Sequence, residues 1–495
     1  MPAKTEILRS IFRIDLFRSS QDAVIDHVLS GRHALVIMPT GMGKSLCFQV
    51  PALCMDGLTI VVSPLIALMK DQVDGLLELG VDATFINSSL AKAERLERYR
   101  GIAEGRYRIL YVTPERFRKS EFIEALSGRR VALLAVDEAH CISEWGHDFR
   151  PDYTRLAEFR AIIGNPVTIA LTATATPDIQ EDIMRQLGIP ADEMRIFHEG
   201  IARANLALRV TEVIEEKEKL AAILSDLAAY PGSQIIYFTL IRTLERFSEL
   251  LHDKRVRHIK YHGQLDPRSR RAAQDAFMSH PDRLVLATNA FGMGVDKADV
   301  RLIIHAELPS SVEAYYQEIG RAGRDDKPSL CHLLYCQDDL LTQMEFVRWR
   351  NPNASFLRDT WDLLAKLKEG VNSFDYEHLQ EHVVHRHRAD HRLETALNLF
   401  DRHGVTAGDL DRGTLRLVQE LPAQLRDEEY LARRERKSYM NLQSLVNFIR
   451  SENCRKEFIH DHFGVPSEKC GNCDRCGTSP VSETRQYRLP EELPL

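Results

Sequence analysis

The chain has 495 residues, 44% of them hydrophobic and 28% charged, with 65 basic against 72 acidic side chains and a formal net charge of −7. At roughly 150 residues per domain this length suggests about three domains, and the composition excludes both a disordered chain and a disulfide-stapled miniprotein. The negative balance excludes a protein that coats polyanions by bulk charge alone, while leaving room for a local basic track. The N-terminus lacks the apolar core and small-residue cleavage site of a secretion signal, and no apolar run approaches the ~18 residues of a membrane span. A reducing, cytoplasmic setting is therefore expected, in which the nine cysteines read as metal ligands or free thiols rather than disulfides.

From His33 onward, short Val/Ile-rich runs alternate with Gly/Ser/Thr/Pro turns and helical stretches. The runs fall at 33–39, 58–63, 108–113, 131–137 and 167–172. Strands apolar on both faces, separated by helices, predict a parallel sheet in an α/β domain. Near 199–208 the pattern pauses and a mixed-charge helix is expected; the alternation restarts at 233–239, 258–262, 283–288, 301–307 and 330–336. This predicts two tandem α/β domains with a hinge near residue 205. Beyond about 345 helices are expected at 355–367, 376–384 and 390–403, then two short strands within 404–420 around Asp411-Arg412-Gly413. Three helices and a hairpin outline a winged helix. A helical pair starts near Arg426 and a cysteine cluster follows. The expected divisions are 1–205, 206–345, 346–425, 426–480 and a tail at 481–495.

Three motifs carry chemistry. Thr40-Gly41-Met42-Gly43-Lys44-Ser45 stands between a strand and a helix. Glycines let backbone N–H groups curl round a phosphate, Lys44 offers a point charge to the β and γ phosphates, and Ser45 offers a hydroxyl to Mg²⁺. Asp137-Glu138-Ala139-His140 ends the 131–137 strand, where a parallel sheet presents its ligand crevice. Asp137 suits a Mg²⁺-holding acid, and Glu138 suits the group that orients and deprotonates a water. In the second α/β domain, Gln317 to Arg324 places Arg321 and Arg324 three residues apart, expected on one helical face. Such a pair suits the charge that develops on a transferred phosphoryl group.

The local detail around these motifs carries a family resemblance. It lies in Phe17-Arg18-Ser19-Ser20-Gln21, MPTGMGKSLCFQVPAL, the Ser63–Gln72 and Thr113-Pro114-Glu115 segments, DEAHCISEWGHDFRPDY from Asp137 to Tyr153, Leu171-Thr172-Ala173-Thr174-Ala175, the Ala287–Lys297 segment and Gln317–Arg324. Over roughly residues 10–340 the chain strongly resembles the RecQ family of superfamily-2 DNA helicases. The resemblance implies two RecA-like domains that sandwich MgATP, and 3′→5′ unwinding of duplex or forked DNA in recombination and repair. It implies that Arg18 and Gln21 read the adenine, and that Gly292 and Asp296 join the nucleotide site. Ile14 stands where the family usually carries an aromatic residue that stacks on the base. It also implies that 141–153 is an aromatic-rich loop coupling DNA arrival to hydrolysis, with Trp145, Phe149 and Arg150 on the strand alongside Ser63, Thr113 and Thr288.

Near the C-terminal end, Cys470, Cys473 and Cys476 form two overlapping Cys-x-x-Cys pairs, and Cys454 completes four thiolates for a closed, structural zinc, with His460 and His462 as alternatives to Cys454. A zinc module of this spacing follows the helicase core in the resembling family. There, however, a winged helix follows the zinc module, whereas here the winged-helix-like segment precedes it, and a short form without an HRDC domain is expected. Between Arg433 and Lys456 seven basic residues face two acids, a candidate duplex contact. The expected protein partners are a single-stranded-DNA-binding protein and other repair factors, the chain itself being a monomer in a bacterial cytoplasm, associated with the nucleoid. An RNA helicase and a DNA-binding ATPase that acts only as a clamp are the alternatives.

Overall fold

The structure, a computed structural model, describes residues 3–495 except 40, 65, 88–89, 144–152, 154, 201, 293–294, 296, 375, 384–390, 409, 411–412, 467–468 and 478–495. By internal contacts the chain forms two compact units. One comprises the described parts of 1–307, 313–335 and 451–495; the other comprises 308–312 and 336–450.

The first unit holds two parallel sheets. The N-terminal sheet contains β1 (His33–Ile37), β2 (Leu58–Val62), β3 (Ala83–Ile86), β4 (Ile109–Val112), β5 (Val131–Val136), β6 (Val167–Thr172) and β7 (Met194–His198), in the spatial order β3-β4-β2-β5-β6-β1-β7. Strands β2 and β5 are buried along their whole length, as apolar runs covered by helices on both faces must be. The second sheet contains β8 (Leu206–Glu212), β9 (Ser233–Tyr237), β10 (Ile259–Tyr261), β11 (Leu284–Ala287), β12 (Val300–His305) and β13 (Ser329–Tyr335), in the order β10-β11-β9-β12-β13-β8. Two of its helices begin on side-chain caps. Glu215 and Glu218 form a reciprocal capping box for Glu216–Ala229, and Asp266 accepts from the backbone N–H groups of Arg268 and Ser269 at 2.9 and 3.1 Å.

All ten strands expected in the two α/β domains are present, together with three that the apolar pattern did not reveal: β3, β7 and β8. Each of the three is an edge strand. The mixed-charge helix expected straight after the pause begins only at Glu216, because residues 206–212 pair along β13.

In the second unit the helices Ala354–Leu367, Tyr376–Val383 and Arg392–Arg402 and the antiparallel two-residue strands β14 (Thr406–Ala407) and β15 (Arg416–Leu417) follow the expected outline. Asp411 and Arg412 of the expected turn lie outside the described residues, as do residues 384–390. Leu357, Leu364, Leu393, Phe400 and Leu425 share the core. Asn372 braces the hairpin from one side, donating to the Leu415 carbonyl at 3.0 Å and accepting its N–H at 2.8 Å. The 23-residue helix Glu428–Arg450 groups with this unit, whereas the cysteines group with the sheets. Among the described residues no helix is long and apolar enough to cross a membrane.

Candidate active site and metal centre

The strand order explains how motifs far apart in sequence meet. Strands β5, β6 and β1 are neighbours, so Asp137, Thr172 and the loop after β1 share one carboxyl edge of the sheet. Ser63 and Thr113 follow β2 and β4, the next strands along that same edge.

The loop is held from behind. Gln21 donates from Nε2 to the carbonyls of Met42 and Gly43 at 2.9 and 3.1 Å, and its Oε1 accepts the Arg18 N–H at 2.9 Å. Gln21 was expected to read adenine. Here both Nε2 hydrogens are spent on protein, while Oε1 keeps a second lone pair with which to accept from a base. Gly43 has φ of 77°, and a Cβ there would lie 2.6 Å from Gln21 Nε2, so both conformation and space demand glycine. Lys44 Nζ donates to the Met38 carbonyl at 3.1 Å, and the helix Leu46–Cys54 starts directly after Ser45. Thr40 lies outside the described residues. Arg18 is exposed, and Ile14 and Leu16, close to it in sequence, leave 36% and 74% of their surface open.

Asp137 extends the ladder, its N–H reaching the Val62 carbonyl at 2.8 Å. Burial, then the neighbouring Glu138 carboxylate, push its carboxyl up to about 7, against the pull of Lys44. Glu138 turns the chain with φ 48° and ψ 48°, a left-handed conformation that few residues with a Cβ adopt. Its Oε2 lies 3.3 Å from His140 Nδ1. His140 is 4% exposed, and its Nδ1 is 3.1 Å from Thr172 Oγ1, which donates to the Thr174 carbonyl at 2.9 Å. The carboxylate motif and the Thr-Ala-Thr motif are thus one hydrogen-bonded assembly.

From the second sheet, Arg324 lies against the loop: a Cβ on Gly41 would sit 3.4 Å from its Cγ. Arg321 donates to the Gly292 carbonyl. The pair was expected on a helical face. The helix Val312–Ile319 ends before it, and both arginines stand on turns bounded by Gly320 and Gly323. Gly323 has φ of 53°, and a Cβ there would strike Asn205 Nδ2 and, at 2.8 Å, the Lys327 carbonyl. Gln317 is half-buried, and the adjacent Glu318 holds His305 Nε2 at 2.7 Å.

Of the expected DNA contacts, Trp145, Phe149 and Arg150 lie outside the described residues, as does Asp296 of the nucleotide set. Ser63, Thr113 and Thr288 are 1%, 5% and 6% exposed at strand carboxyl ends, with their N–H groups on neighbouring-strand carbonyls. The candidate basic track is smaller than expected. Arg455 is buried on Asp474, with Nε and Nη2 at 3.0 and 2.9 Å from its carboxylate, and Lys456 is buried with Nζ on the Arg203 carbonyl and Asn472 Oδ1. Those two charges are spent inside the protein.

Cys454, Cys470, Cys473 and Cys476 bring four sulfurs within 4.8 Å of one another. The Cys470–Cys476 and Cys454–Cys473 separations are 3.9 and 4.0 Å. Tetrahedral zinc with bonds of about 2.3 Å requires sulfurs about 3.8 Å apart, so the set fits that ion. Backbone N–H groups of Arg455 and Cys470 point at Cys473 Sγ and Cys454 Sγ, both at 3.4 Å. The Cys470 hydrogen bond, with backbone N–H groups of Arg455 and Arg475, draws the Cys473 thiol down to about 4 against its burial. The alternatives to Cys454 are engaged elsewhere: His462 Nε2 is 2.7 Å from Glu313, and His460 Nδ1 is 3.4 Å from the Pro466 carbonyl. Among the described residues no disulfide forms, and Cys47, Cys54, Cys141, Cys331 and Cys336 are free thiols.

Several supporting residues had no sequence signal. Glu199 accepts the Ser20 N–H at 2.7 Å, bracing the Arg18–Gln21 segment. Gln49 joins Gln72 and Tyr111 at 3.0 and 3.2 Å. Ser143, where the aromatic loop leaves the described chain, donates to the buried Asp182 at 2.7 Å. Arg203 and Asn205 hold the arginine turn. Each is a polar residue whose partner is distant in sequence, so no local pattern marks it.

Comparison with known proteins places these features. The DEAD/DEAH box helicase family matches residues 18–183, the helicase conserved C-terminal domain matches 215–326, and the RecQ zinc-binding family matches 416–477. The ATP-dependent DNA helicase RecQ of Bacillus subtilis is 41% identical over 377 residues, 76% of this chain and 62% of that protein. RecQ of Haemophilus influenzae is 42% identical over 334 residues, 68% of this chain and 53% of that protein, so the chain spans between half and two thirds of these relatives. The probable ATP-dependent DNA helicase RecS of Bacillus subtilis is 38% identical over 367 residues, 74% of this chain and 73% of that protein. Among solved structures, the helicase MrfA bound to DNA and AMPPNP aligns with a TM-score of 0.57 at 17% identity, over 85% of this chain and 63% of that one. Mss116p bound to single-stranded RNA and AMP-PNP aligns at 0.56 and 14%, over 83% and 94%; these two establish the RecA-like fold. With a helicase core in two RecA-like domains, a four-cysteine knuckle and a relative such as RecS matched over 73% of its length, the chain belongs to the RecQ family of superfamily-2 helicases.

Proposed function

We propose that the chain is an ATP-dependent DNA helicase that moves 3′→5′ on single-stranded DNA and separates duplex or forked DNA in recombination and repair. The observation that carries this reading is the seat of Arg324 against Gly41, where the aliphatic stem of an arginine from the second sheet packs on the phosphate loop of the first. A nucleotide site completed from two domains makes their separation depend on the charge between them, which is how hydrolysis becomes movement. Lys44 holds the β and γ phosphates, Glu138 orients and deprotonates the attacking water, and Arg321 and Arg324 meet the charge developing on the γ-phosphoryl group, with Gln317 beside them. Asp137 and Ser45 would hold Mg²⁺, which would neutralise phosphate charge there. The four cysteines would hold zinc, which would contribute folding free energy to the knuckle.

The strand is read as crossing the carboxyl edges of both sheets near Ser63, Thr113 and Thr288, with Trp145 and Phe149 as stacking faces worth ~1–3 kcal/mol per base. The relatives cited are DNA helicases, which favours DNA over RNA. The same reading takes the chain as a bacterial cytoplasmic monomer that meets a single-stranded-DNA-binding protein at the nucleoid. Strand-separation assays on DNA with 3′ and 5′ overhangs, forks, four-way junctions and an RNA duplex test it. Unwinding is expected from the 3′ overhang and the fork, only with ATP. Hydrolysis without strand separation on any DNA substrate overturns it in favour of a clamp, and preference for the RNA duplex overturns the substrate.

A further inference from the structure

The turn that carries Arg321 and Arg324 is held by a residue outside it. Arg203, in the linker between the two sheets, donates to the Gly320 carbonyl at 3.4 Å, the Ala322 carbonyl at 2.7 Å and the Gly323 carbonyl at 2.8 Å. Asn205 adds bonds from Nδ2 to the Gly323 and Lys327 carbonyls at 2.7 and 3.0 Å. Past the end of Val312–Ile319 these carbonyls have left the helical ladder, and a planar guanidinium satisfies several of them at fixed angles. Ala322 lies between the two arginines, so a shift of the guanidinium moves both.

The linker is in turn gripped by the cysteine knuckle. Lys456 Nζ donates to the Arg203 carbonyl at 2.8 Å, and Asn472 Nδ2 donates to the carbonyls of Ala204 and Leu206 at 2.7 and 3.1 Å. The Asp474 N–H reaches the Leu208 carbonyl at 3.0 Å, and Lys456 and Asn472 bond each other at 2.9 Å. Asn472 lies between Cys470 and Cys473, so the chain turn that gathers the sulfurs also sets the residue that holds the linker.

We infer that Arg203 is a positioning residue for Arg321 and Arg324, and that the cysteine knuckle sets Arg203 through Asn472 and Lys456. The knuckle is then part of the hydrolytic machinery by position, although it contributes no atom to the nucleotide site. This rests on the proposed role of the arginine turn in hydrolysis.

The test compares the full-length chain with Arg203→Ala, Arg203→Lys and Asn472→Ala. It reads DNA-stimulated ATP turnover, affinity for a fluorescent ATP analogue, and zinc content. Arg203→Ala is expected to lower kcat by about tenfold to a hundredfold, the cost of ångström-scale misplacement, with analogue affinity held within about twofold. Arg203→Lys recovers part of the loss. Asn472→Ala gives an intermediate kcat with zinc retained. In an Arg321→Ala/Arg324→Ala background, Arg203→Ala costs nothing further, because its effect passes through those two groups. Wild-type turnover in folded Arg203→Ala, or an equal further loss in the arginine-less background, overturns the inference. If Arg203→Ala does not fold, wild-type turnover in both Arg203→Lys and Asn472→Ala overturns it. Absence of ATP turnover in the unaltered chain refutes the proposed function instead.

Discussion

The two RecA-like domains share an architecture and differ in how each holds its reactive groups. In the first, the loop at Gly41–Ser45, the Asp137-Glu138 pair and Thr172 hang from the ends of three adjacent strands, and the sheet itself fixes their spacing. In the second, Arg321 and Arg324 stand on a turn beyond a helix end, and its carbonyls are held from the linker. Groups at strand ends inherit their geometry from a buried ladder. Groups on a turn need external support, and that support is a place where another module can act.

Substitutions can break or sharpen this contrast, and the largest effects belong to the first domain. Lys44→Ala removes the only side-chain charge of the phosphate loop, so ATP turnover should fall by a factor on the order of 10³ or more while DNA binding survives; a coupled-enzyme assay beside a DNA-binding titration checks both. Arg324→Ala should lower kcat by about 10²–10³ and leave nucleotide affinity nearly unchanged, as transition-state stabilisation requires. Stopped-flow binding with single-turnover hydrolysis separates the two. A chelator strong enough to strip the knuckle should release about one zinc per chain, remove on the order of 10 kcal/mol of folding free energy from that module, and reduce turnover about as far as Arg203→Ala does. Metal analysis alongside turnover would show whether the losses run together. Gln21→Ala should have the smallest effect, weakening nucleotide binding several-fold through a looser loop while kcat at saturation persists; a change confined to kcat would contradict its bracing role.

Much of this was legible in the sequence because parallel strands are apolar on both faces and end in motifs. The strands missed were the edges β3, β7 and β8. In β7, Arg195, Ile196 and His198 face solvent, and β8 mixes Arg209, Thr211 and Glu212 with its apolar residues, so neither reads as a buried run. β3 is buried but only four residues long. The cysteine spacing was legible because ligand count and tetrahedral geometry constrain it. The basic character of Arg455 and Lys456 misled for the opposite reason: charge in a sequence says nothing about whether Asp474 or a linker carbonyl waits inside. Arg203 was invisible because its acceptors are backbone carbonyls 117 to 120 positions away, and backbone has no signature of its own.

The left-handed backbone at Glu138 has a bearing on how such a protein would respond to heat. Glycine there would relieve about 1 kcal/mol of conformational cost, and a screen that scored only thermal tolerance would favour it. It would also delete the carboxylate assigned to the water. Robustness and turnover therefore pull in opposite directions at this one position, and variants selected for heat resistance alone would accumulate there as well-folded, silent proteins.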